Sequence, residues 1–262
     1  MLHTKNHPAV STERVPAESN GRWVLWVDIE GFKHLFKHHD GERAIRRLAG
    51  LMSDVCEIGR KYFYPDNGQL RAHQFGDGFM VSPDLGDEKL DIVISLTVAL
   101  MKATAFREGF LSATVTWGEF GDRVGCYPAC VRENRCNGTV LFGQAGEGGL
   151  MTINPVLGEG FVRAYELSSL QHGPQLVVDE RLAGKLNDQR VRQKVRKGCI
   201  SVDWIRYNSR ASQEMLQKTM TPHEFQTLSD RLLIDKLRNY LSYNKGLPCN
   251  WKRSAKELIR GY

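Results

Sequence analysis

The sequence lacks any apolar run long enough to cross a bilayer. The longest candidate, residues 92–101, has half of the roughly 20 residues that a membrane-spanning helix needs. Residues 1–20 contain no apolar stretch of the secretory-signal type, and we expect a disordered tail there. No internal repeat or low-complexity tract is evident. These absences favour a soluble, cytoplasmic protein, and 262 residues with 41% hydrophobic content allow one large domain or two small ones.

The six cysteines form no CxxC pair, which argues against the common zinc and redox motifs. Cys126, Cys130 and Cys136 lie close together, but their spacing does not fit the usual zinc fingers and no histidine follows closely. A metal cluster is therefore the weaker interpretation, and reduced, unpaired thiols are the favoured one.

The positive charge is concentrated in the last third of the chain. The net charge is +6, yet residues 181–260 carry 18 Lys and Arg against 7 Asp and Glu. Such a segment can attract nucleic acid, an acidic membrane surface or a polyanionic small substrate, or it can be a solvated helical face. The solvated helical face is the favoured interpretation for most of these residues, and no nucleic-acid recognition motif accompanies them.

Periodicity predicts an α+β fold with a mixed sheet and helices on one face. Short runs rich in Val, Ile, Leu, Phe and Trp predict strands, and longer amphipathic segments predict helices. Two of the strands form a hairpin around Gly-Asp-Gly, whereas the others alternate with helices, which excludes a doubly wound parallel sheet. The predicted strands are residues 22–29, 69–75, 78–83, 110–120, 174–179 and 192–206. One helix is predicted to start near residue 41, and two others are predicted at residues 87–106 and 157–170.

The helix from Gly41 is predicted to have one buried apolar face, with Arg43, Arg46 and Arg47 mostly turned outward. The buried positions are expected to be Ala44, Ile45, Leu48, Leu51, Met52 and Val55. Residues 207–262 are predicted to form a helical extension. Within it, Thr221 and Glu224 fit a capping box around Pro222 at the first helical position.

Two aspartates stand where apolar runs break on glycine. "WVDIEGF" contains Asp28 and "QFGDGFMV" contains Asp77. If the two strands are sheet neighbours, both carboxylates project from one edge and suit Mg²⁺ or Mn²⁺ bound with phosphate oxygens. The alternative is that Asp28 caps a turn and Asp77 only makes a hairpin, and spacing alone leaves both interpretations open.

These motifs resemble the class III nucleotide cyclases, the catalytic domain of adenylyl and guanylyl cyclases. "WVDIEGFKHLF" is similar to the first metal motif, "QFGDGFMV" to the second-metal hairpin, and "VTWGEF" and "GEGFVRAYELSS" to later elements. The resemblance covers about residues 22–206 and implies a ferredoxin-like βαββαβ core that forms a homodimer with active sites at the interface. It suggests a catalytic domain at 21–206, followed by the extension at 207–262.

The resemblance also implies roles for individual residues. Asp28 and Asp77, with the Ile29 carbonyl, would hold two divalent ions, Mn²⁺ or Mg²⁺. The backbone of Ile29, Glu30, Gly31 and Phe32 would cradle the triphosphate. The 3′-hydroxyl would then attack the α-phosphorus and expel pyrophosphate, which requires positioning and charge neutralisation more than side-chain proton transfer.

The base-reading positions depart from both purine cyclase patterns. His73 stands where adenylyl cyclases have lysine and guanylyl cyclases glutamate, Arg71 lies on the same strand face, and the partner position is Pro155. Proline offers no side-chain hydrogen bond, whereas His73 or Arg71 could donate to a uracil carbonyl. Because a neutral histidine can also accept, CTP stays an alternative to UTP.

The transition-state positions of the family are occupied by Val162 and Glu166. Glu166 cannot stabilise an anionic transition state, so Arg163, one residue off register, or Lys197 in "VRKGC" would have to substitute. A solvated Arg163 is the competing interpretation, because adjacent helical residues face different directions.

The altered positions are similar to those of the stand-alone pyrimidine cyclases of Pycsar antiphage systems. The resemblance therefore implies that UTP is converted to 3′,5′-cyclic UMP, a messenger that activates a separate effector. The alternatives are a purine cyclase with an unusual pocket and a cyclase-like nucleotide-binding module that has lost catalysis.

Overall fold

The strand and helix order follows from short apolar runs separated by glycine and turn residues. The computed structural model describes residues 21–37, 40–64, 69–107, 109–122, 135–136, 139–144, 147–152, 156–186, 191–196 and 198–260. The predicted tail at 1–20, His38, His39, Cys126, Cys130, Pro155 and Lys197 lie outside these residues. Within them, no helix combines the length and the apolar character of a membrane span.

A seven-stranded mixed sheet forms the centre of the fold, and its strands are β1 (Gly21–Ile29), β2 (Leu70–Phe75), β3 (Gly78–Pro83), β4 (Leu111–Glu119), β10 (Leu176–Asp179), β11 (Val191–Arg196) and β12 (Cys199–Val202). Their order in the sheet is β11-β12-β10-β4-β1-β3-β2. Parallel pairing joins β10 to β4, and the other neighbours are antiparallel.

Short strands outside this sheet form a pair and a three-stranded sheet. The pair is β5 (Gly121–Asp122) with β9 (Val156–Leu157), and the small sheet contains β6 (Arg135–Cys136), β7 (Thr139–Gln144) and β8 (Glu147–Thr152).

The helices are α1 (Phe32–Lys37), α2 (Gly41–Ile58), α3 (Leu90–Phe106), α4 (Glu159–Ser169), α5 (Arg210–Thr219), α6 (Pro222–Thr227), α7 (Asp230–Tyr243) and α8 (Cys249–Ile259). The first part of the chain has the ferredoxin-like βαββαβ arrangement. Along the chain the elements are β1, α1 and α2, β2, β3, α3 and β4, and in the sheet the strand order is β4-β1-β3-β2. The predicted α+β fold is therefore confirmed.

The prediction that the helices cover one face of the sheet is wrong for α4. Strand alternation sends Leu25 and Val27 into the main core with α2 and α3, whereas Val24 and Trp26 point the other way. Ala164 of α4 packs with Val24 and Trp26, so this helix covers part of the opposite face. We call this side of the sheet the α4 face.

The predicted single strand at 192–206 is two strands, β11 and β12. Gly198 adopts φ +82° between them, a conformation that favours glycine, and the chain reverses there into an antiparallel pair. Residues 203–206 lie beyond the end of β12.

The predicted apolar face of α2 is only partly correct. Ile45 and Met52 are exposed, while Arg47 is 9% exposed and Asp54 is buried. The side chain of Arg47 hydrogen bonds to Tyr240 of α7. Tyr240 is distant in the chain, so the local sequence pattern could not predict this contact.

The C-terminal helices join the same core as the sheet. Met215, Leu233 and Trp251, from α5, α7 and α8, pack in the main hydrophobic cluster with the buried face of β1. The predicted capping box is present at Thr221 and Glu224, with both reciprocal hydrogen bonds formed. The extension therefore packs on the helical layer, where α5 and α7 contact α3.

Gly158 sets the position of α4, because it adopts φ +141° and a Cβ there would lie 2.0 Å from the Glu119 carbonyl oxygen. We expect Gly158→Ala to reduce the free energy of unfolding by about 2 kcal/mol or more, through backbone strain and displacement of β4. Urea denaturation measures the loss. The matched control is Gly50→Ala, within α2, where nothing lies within 4 Å of the added methyl group. That substitution should stabilise by about 0.5–1 kcal/mol, and equal effects of the two would contradict the expectation.

Candidate active site

Asp28 and Asp77 meet at one edge of the central sheet. Asp28 is the penultimate residue of β1 and pairs in register with Gly78, the residue after Asp77. A Cβ on Gly78 would lie 3.1 Å from Asp28 Oδ1, so the carboxylate rests directly against the hairpin turn. Gly76, at φ +64°, makes the tight turn that presents Asp77. The chain thus brings together two carboxylates that are 49 positions apart.

The electrostatics of this edge disfavour a second negative charge. Burial, followed by the charges of Asp77 and Glu30, raises the pKa of Asp28 to about 7, while Lys33 acts in the opposite direction. A carboxyl held this way is partly protonated at neutral pH. A divalent cation between Asp28 and Asp77 would offset the repulsion, so the two residues fit the predicted metal.

Asp28 and Asp77 would supply only part of a coordination sphere. Among the residues that the structure describes, no three His, Cys, Asp or Glu side chains converge as a metal-binding group. The remaining ligands would have to be oxygens from the backbone, from water or from a bound phosphate chain. That composition is typical of Mg²⁺ sites in nucleotide enzymes, which keep several non-protein ligands.

Glu30 follows the strand end and is anchored by the C-terminal extension. Trp251 Nε1 of α8 donates a 2.7 Å hydrogen bond to Glu30 Oε2. Ser112 and the Gly173 backbone also hydrogen bond to this carboxylate, yet burial outweighs these contacts and raises the pKa of Glu30. The sequence pattern gave no sign of this anchor, because a lone tryptophan in a basic helix reads as ordinary packing.

The loop after β1 is fitted closely against α7. Gly31 adopts φ +77°, and a Cβ there would lie 2.9 Å from the Tyr240 hydroxyl oxygen. The Gly31 carbonyl accepts hydrogen bonds from the backbone N–H groups of His34 and Leu35 as α1 begins at Phe32. The predicted phosphate-binding backbone, from Ile29 to Phe32, is thus held between the sheet edge and the extension.

The predicted base-reading residues lie on the same sheet face as Asp28. His73 pairs with Met80 and Arg71 with Ser82 across the β2–β3 hairpin. Met80 packs with Trp26, and Trp26 precedes Asp28 by two positions, so their side chains leave the same face. Both predicted residues are partly exposed and lie on the α4 face, to which Asp28 also points.

Aromatic rings cover the part of this face nearest α4. The Trp26 ring stacks on Phe75 at 5.6 Å and contacts Tyr165 edge-on at 5.4 Å. Tyr165, Leu157 and Val162 are each more than half exposed. Such a group of exposed apolar side chains is typical of a surface that binds another molecule.

Arg163 is engaged by Asp179 at the end of β10. Its Nε lies 3.0 Å from Asp179 Oδ2, and its Nη2 lies 3.4 Å from the Gly198 carbonyl oxygen. Although burial acts to raise it, hydrogen bonds from Arg181 and Arg163 hold the pKa of Asp179 below its ordinary value. β4 separates β10 from β1, so within one chain Arg163 sits away from the carboxylate pair.

Comparison with known proteins finds no matching family model and no matching curated protein. The guanylyl cyclase Cya2 is 14% identical over 70% of this chain and 89% of its own, with a TM-score of 0.41. The adenylyl cyclase CyaB from P. aeruginosa is 16% identical over 69% of this chain and 91% of its own, with a TM-score of 0.43. The guanylyl cyclase domain of the RhoGC fusion protein from the aquatic fungus Blastocladiella emersonii is 11% identical over 70% and 93%, with a TM-score of 0.47.

Proposed function

We propose that this protein is a metal-dependent nucleotide cyclase that converts UTP to 3′,5′-cyclic UMP and pyrophosphate. The observation that carries the proposal is the meeting of Asp28 and Asp77 at one sheet edge, where the pKa of Asp28 rises to about 7. The resemblance of the surrounding motifs to class III cyclases gives the pair its chemistry. The βαββαβ order of the sheet agrees with that resemblance.

The reaction joins the ribose 3′ oxygen to the α-phosphorus while the bond from that phosphorus to the departing pyrophosphate breaks. Mn²⁺ or Mg²⁺, held by Asp28, Asp77 and the Ile29 carbonyl, would supply activation of the hydroxyl and neutralisation of the phosphate charge. The backbone of residues 29–32 positions the triphosphate. Lys33 is exposed on α1 and its charge already acts on Asp28, which suits a contact with phosphate oxygens.

Arg71 and His73 are proposed to select the base. Both lie on the α4 face with Asp28, on β2 at the end of the sheet order, and the base of a nucleotide held at the carboxylate pair would extend toward them. Either side chain can donate to a uracil carbonyl oxygen. UTP is therefore proposed ahead of CTP, whose amino group also needs an acceptor.

A homodimer is proposed because exposed apolar side chains lie beside the aromatic cluster around Trp26. They are Leu157, Val162 and Tyr165. Two copies that bury these side chains would place α4 of each near the carboxylate pair of the other. Arg163, together with Lys197, would then stabilise the transition state in the partner's site, at the cost of contacts that Arg163 now makes with Asp179.

A second function, nucleotide binding without turnover, is favoured by one observation. The guanidinium of Arg163 is already paired with buried Asp179, while the neighbouring positions Val162 and Glu166 offer no cation. A protein with this arrangement would hold a nucleoside triphosphate and a metal at the carboxylate pair, but would lack a group for the developing negative charge.

Product analysis with ATP, GTP, CTP and UTP in Mn²⁺ and in Mg²⁺ tests the proposal. The expected result is cyclic UMP and pyrophosphate in equal amounts, with UTP turned over fastest. Preferential turnover of ATP or GTP would show a purine cyclase instead. Binding of triphosphates with no cyclic product from any of the four would establish the second function.

The cellular role is proposed from the resemblance to Pycsar cyclases: cyclic UMP would act as a messenger on a separate effector during phage infection. The test is a plaque assay in cells carrying the cyclase with its effector. Protection should disappear in Asp77→Ala, and equal protection by that variant would reject the messenger role.

A further inference from the structure

A second cavity lies on the opposite side of the sheet from the carboxylate pair. Its volume is about 550 Å³, which falls within the range of small-molecule sites. It lies between the first turns of α2 and the C-terminal end of α3. The lining residues are Asp40, Arg43, Arg46, Arg47, Gly50, Leu51, Thr104, Arg107 and Gly109.

The wall of this cavity carries four arginines against one aspartate. Two of the four, Arg43 and Arg46, stand near the solvent, where they pair with Asp40 at 4.0 Å and with Glu42 at 3.5 Å. Arg107 is held by two short hydrogen bonds to Asp54, which is not part of the lining. The excess of positive charge inside a concave surface focuses a field that attracts anions.

Two buried groups make this a built site and not only a charged surface. Arg47 is 9% exposed, and burial together with the charge of Arg43 acts to lower its pKa. Thr104 is 5% exposed, and its hydroxyl has no hydrogen-bond partner among the described residues. Arg47 already hydrogen bonds to Tyr240, so the hydroxyl of Thr104 is the buried group whose cost a ligand would offset.

We propose that this cavity binds a small phosphate-bearing anion. Guanidinium groups match phosphate oxygens in a two-pronged geometry, and three arginines of α2 line the same cavity as Arg107, the residue after α3. The site does not require the proposed cyclase reaction, although its Arg47 hydrogen bonds to Tyr240, whose hydroxyl lies against Gly31 of the proposed phosphate-binding backbone. It faces the α2–α3 layer, whereas Asp28 faces the α4 side of the sheet.

The test uses pyrophosphate as the probe, with EDTA present so that the carboxylate pair holds no metal. Isothermal titration calorimetry should show one binding event in the intact protein. The double variant Arg43→Gln with Arg46→Gln should weaken it about tenfold or more, since each charged hydrogen bond contributes about 1.5–3 kcal/mol. The matched control is Arg60→Gln with Arg210→Gln, which removes the same charge from exposed helical positions outside the cavity. It should leave the affinity unchanged.

Two further variants separate the site from its alternatives. Asp77→Ala should keep the pyrophosphate affinity, whereas a loss there would assign the binding to the carboxylate pair. Thr104→Val should weaken binding while raising the melting temperature of the ligand-free protein, because it removes an unpaired buried hydroxyl. No binding to the intact protein, or equal weakening in the two arginine double variants, would overturn the proposal.

Discussion

Asp77→Asn is expected to reduce cyclic nucleotide formation at least about 100-fold while the protein stays folded. The substitution keeps the size of the side chain and the hairpin turn, but removes one of the two charges that would hold a divalent ion. Asp77 is at the tip of a hairpin, its carboxylate takes no part in the core and its charge repels that of Asp28, so the melting temperature should not fall. Turnover is measured with saturating UTP and Mn²⁺, and retention of more than half of the activity would remove Asp77 from the site.

Asp28→Asn should abolish activity in the same way but should also stabilise the metal-free protein. The pKa of Asp28 is raised from 3.8 to about 7 in the folded state, so between these pH values the folded protein binds a proton that the unfolded chain has released. The contribution of Asp28 to the free energy of unfolding therefore falls as the pH rises through this range. At pH 8 in EDTA, Asp28 therefore opposes folding, and asparagine removes that opposition. Thermal melts from pH 4 to pH 8 should show the variant gaining most at the alkaline end.

The control for this experiment is Asp235→Asn, an exposed aspartate on α7 that pairs with Arg238. Its melting temperature should follow the unaltered protein at every pH. A destabilised Asp28→Asn at pH 8 would mean that the carboxylate is satisfied in the metal-free protein, and the argument for a cation between Asp28 and Asp77 would lose its electrostatic basis. Stabilisation with loss of activity is the trade-off that functional sites typically show.

Local signals explain which parts of this fold could be predicted from sequence. β1 is a short run of large apolar residues with Asp28 next to its end and Gly31 just beyond it. The hairpin is specified by the Gly-Asp-Gly turn around Asp77. Both signals depend on neighbours in the chain, so they survive without knowledge of the tertiary structure. The pairing of Asp28 with Gly78 then follows once β1 and β3 become sheet neighbours.

Contacts between distant segments explain what could not be predicted. The burial of Arg47 depends on Tyr240, almost 200 positions later, and the environment of Glu30 depends on Trp251. Periodicity therefore assigned Ile45 and Met52 to the buried face of α2, where the structure exposes them. The cavity on the α2–α3 side also depends on contacts between distant segments, because its arginines come from two helical segments that only the fold brings together. It therefore could not be predicted from the sequence.

The extension should be required for the site because Trp251 connects α8 to the end of β1. The indole is 4% exposed, lies 5.3 Å from the Tyr240 ring and donates to the carboxylate of Glu30. Glu30 in turn helps to raise the pKa of Asp28. A change at Trp251 therefore reaches the proposed metal ligands through a single intermediate side chain.

Trp251→Ala is expected to cost about 3–5 kcal/mol of unfolding free energy, since it empties a buried site and leaves the Glu30 carboxylate without its indole donor. Trp251→Phe keeps most of the ring packing and removes only the N–H group, so about 1–3 kcal/mol should be lost. Because Glu30 then keeps only its hydrogen bonds with Ser112 and the Gly173 backbone, its carboxylate can shift relative to Asp28, and the Mn²⁺ concentration for half-maximal activity should change in the phenylalanine variant. The matched control is Trp23→Phe, which removes a 2.8 Å hydrogen bond to the Gly86 carbonyl at the opposite end of β1. It should lose comparable stability and keep the metal dependence of the unaltered protein, whereas an equal shift in both variants would show that α8 supports the fold and not the site.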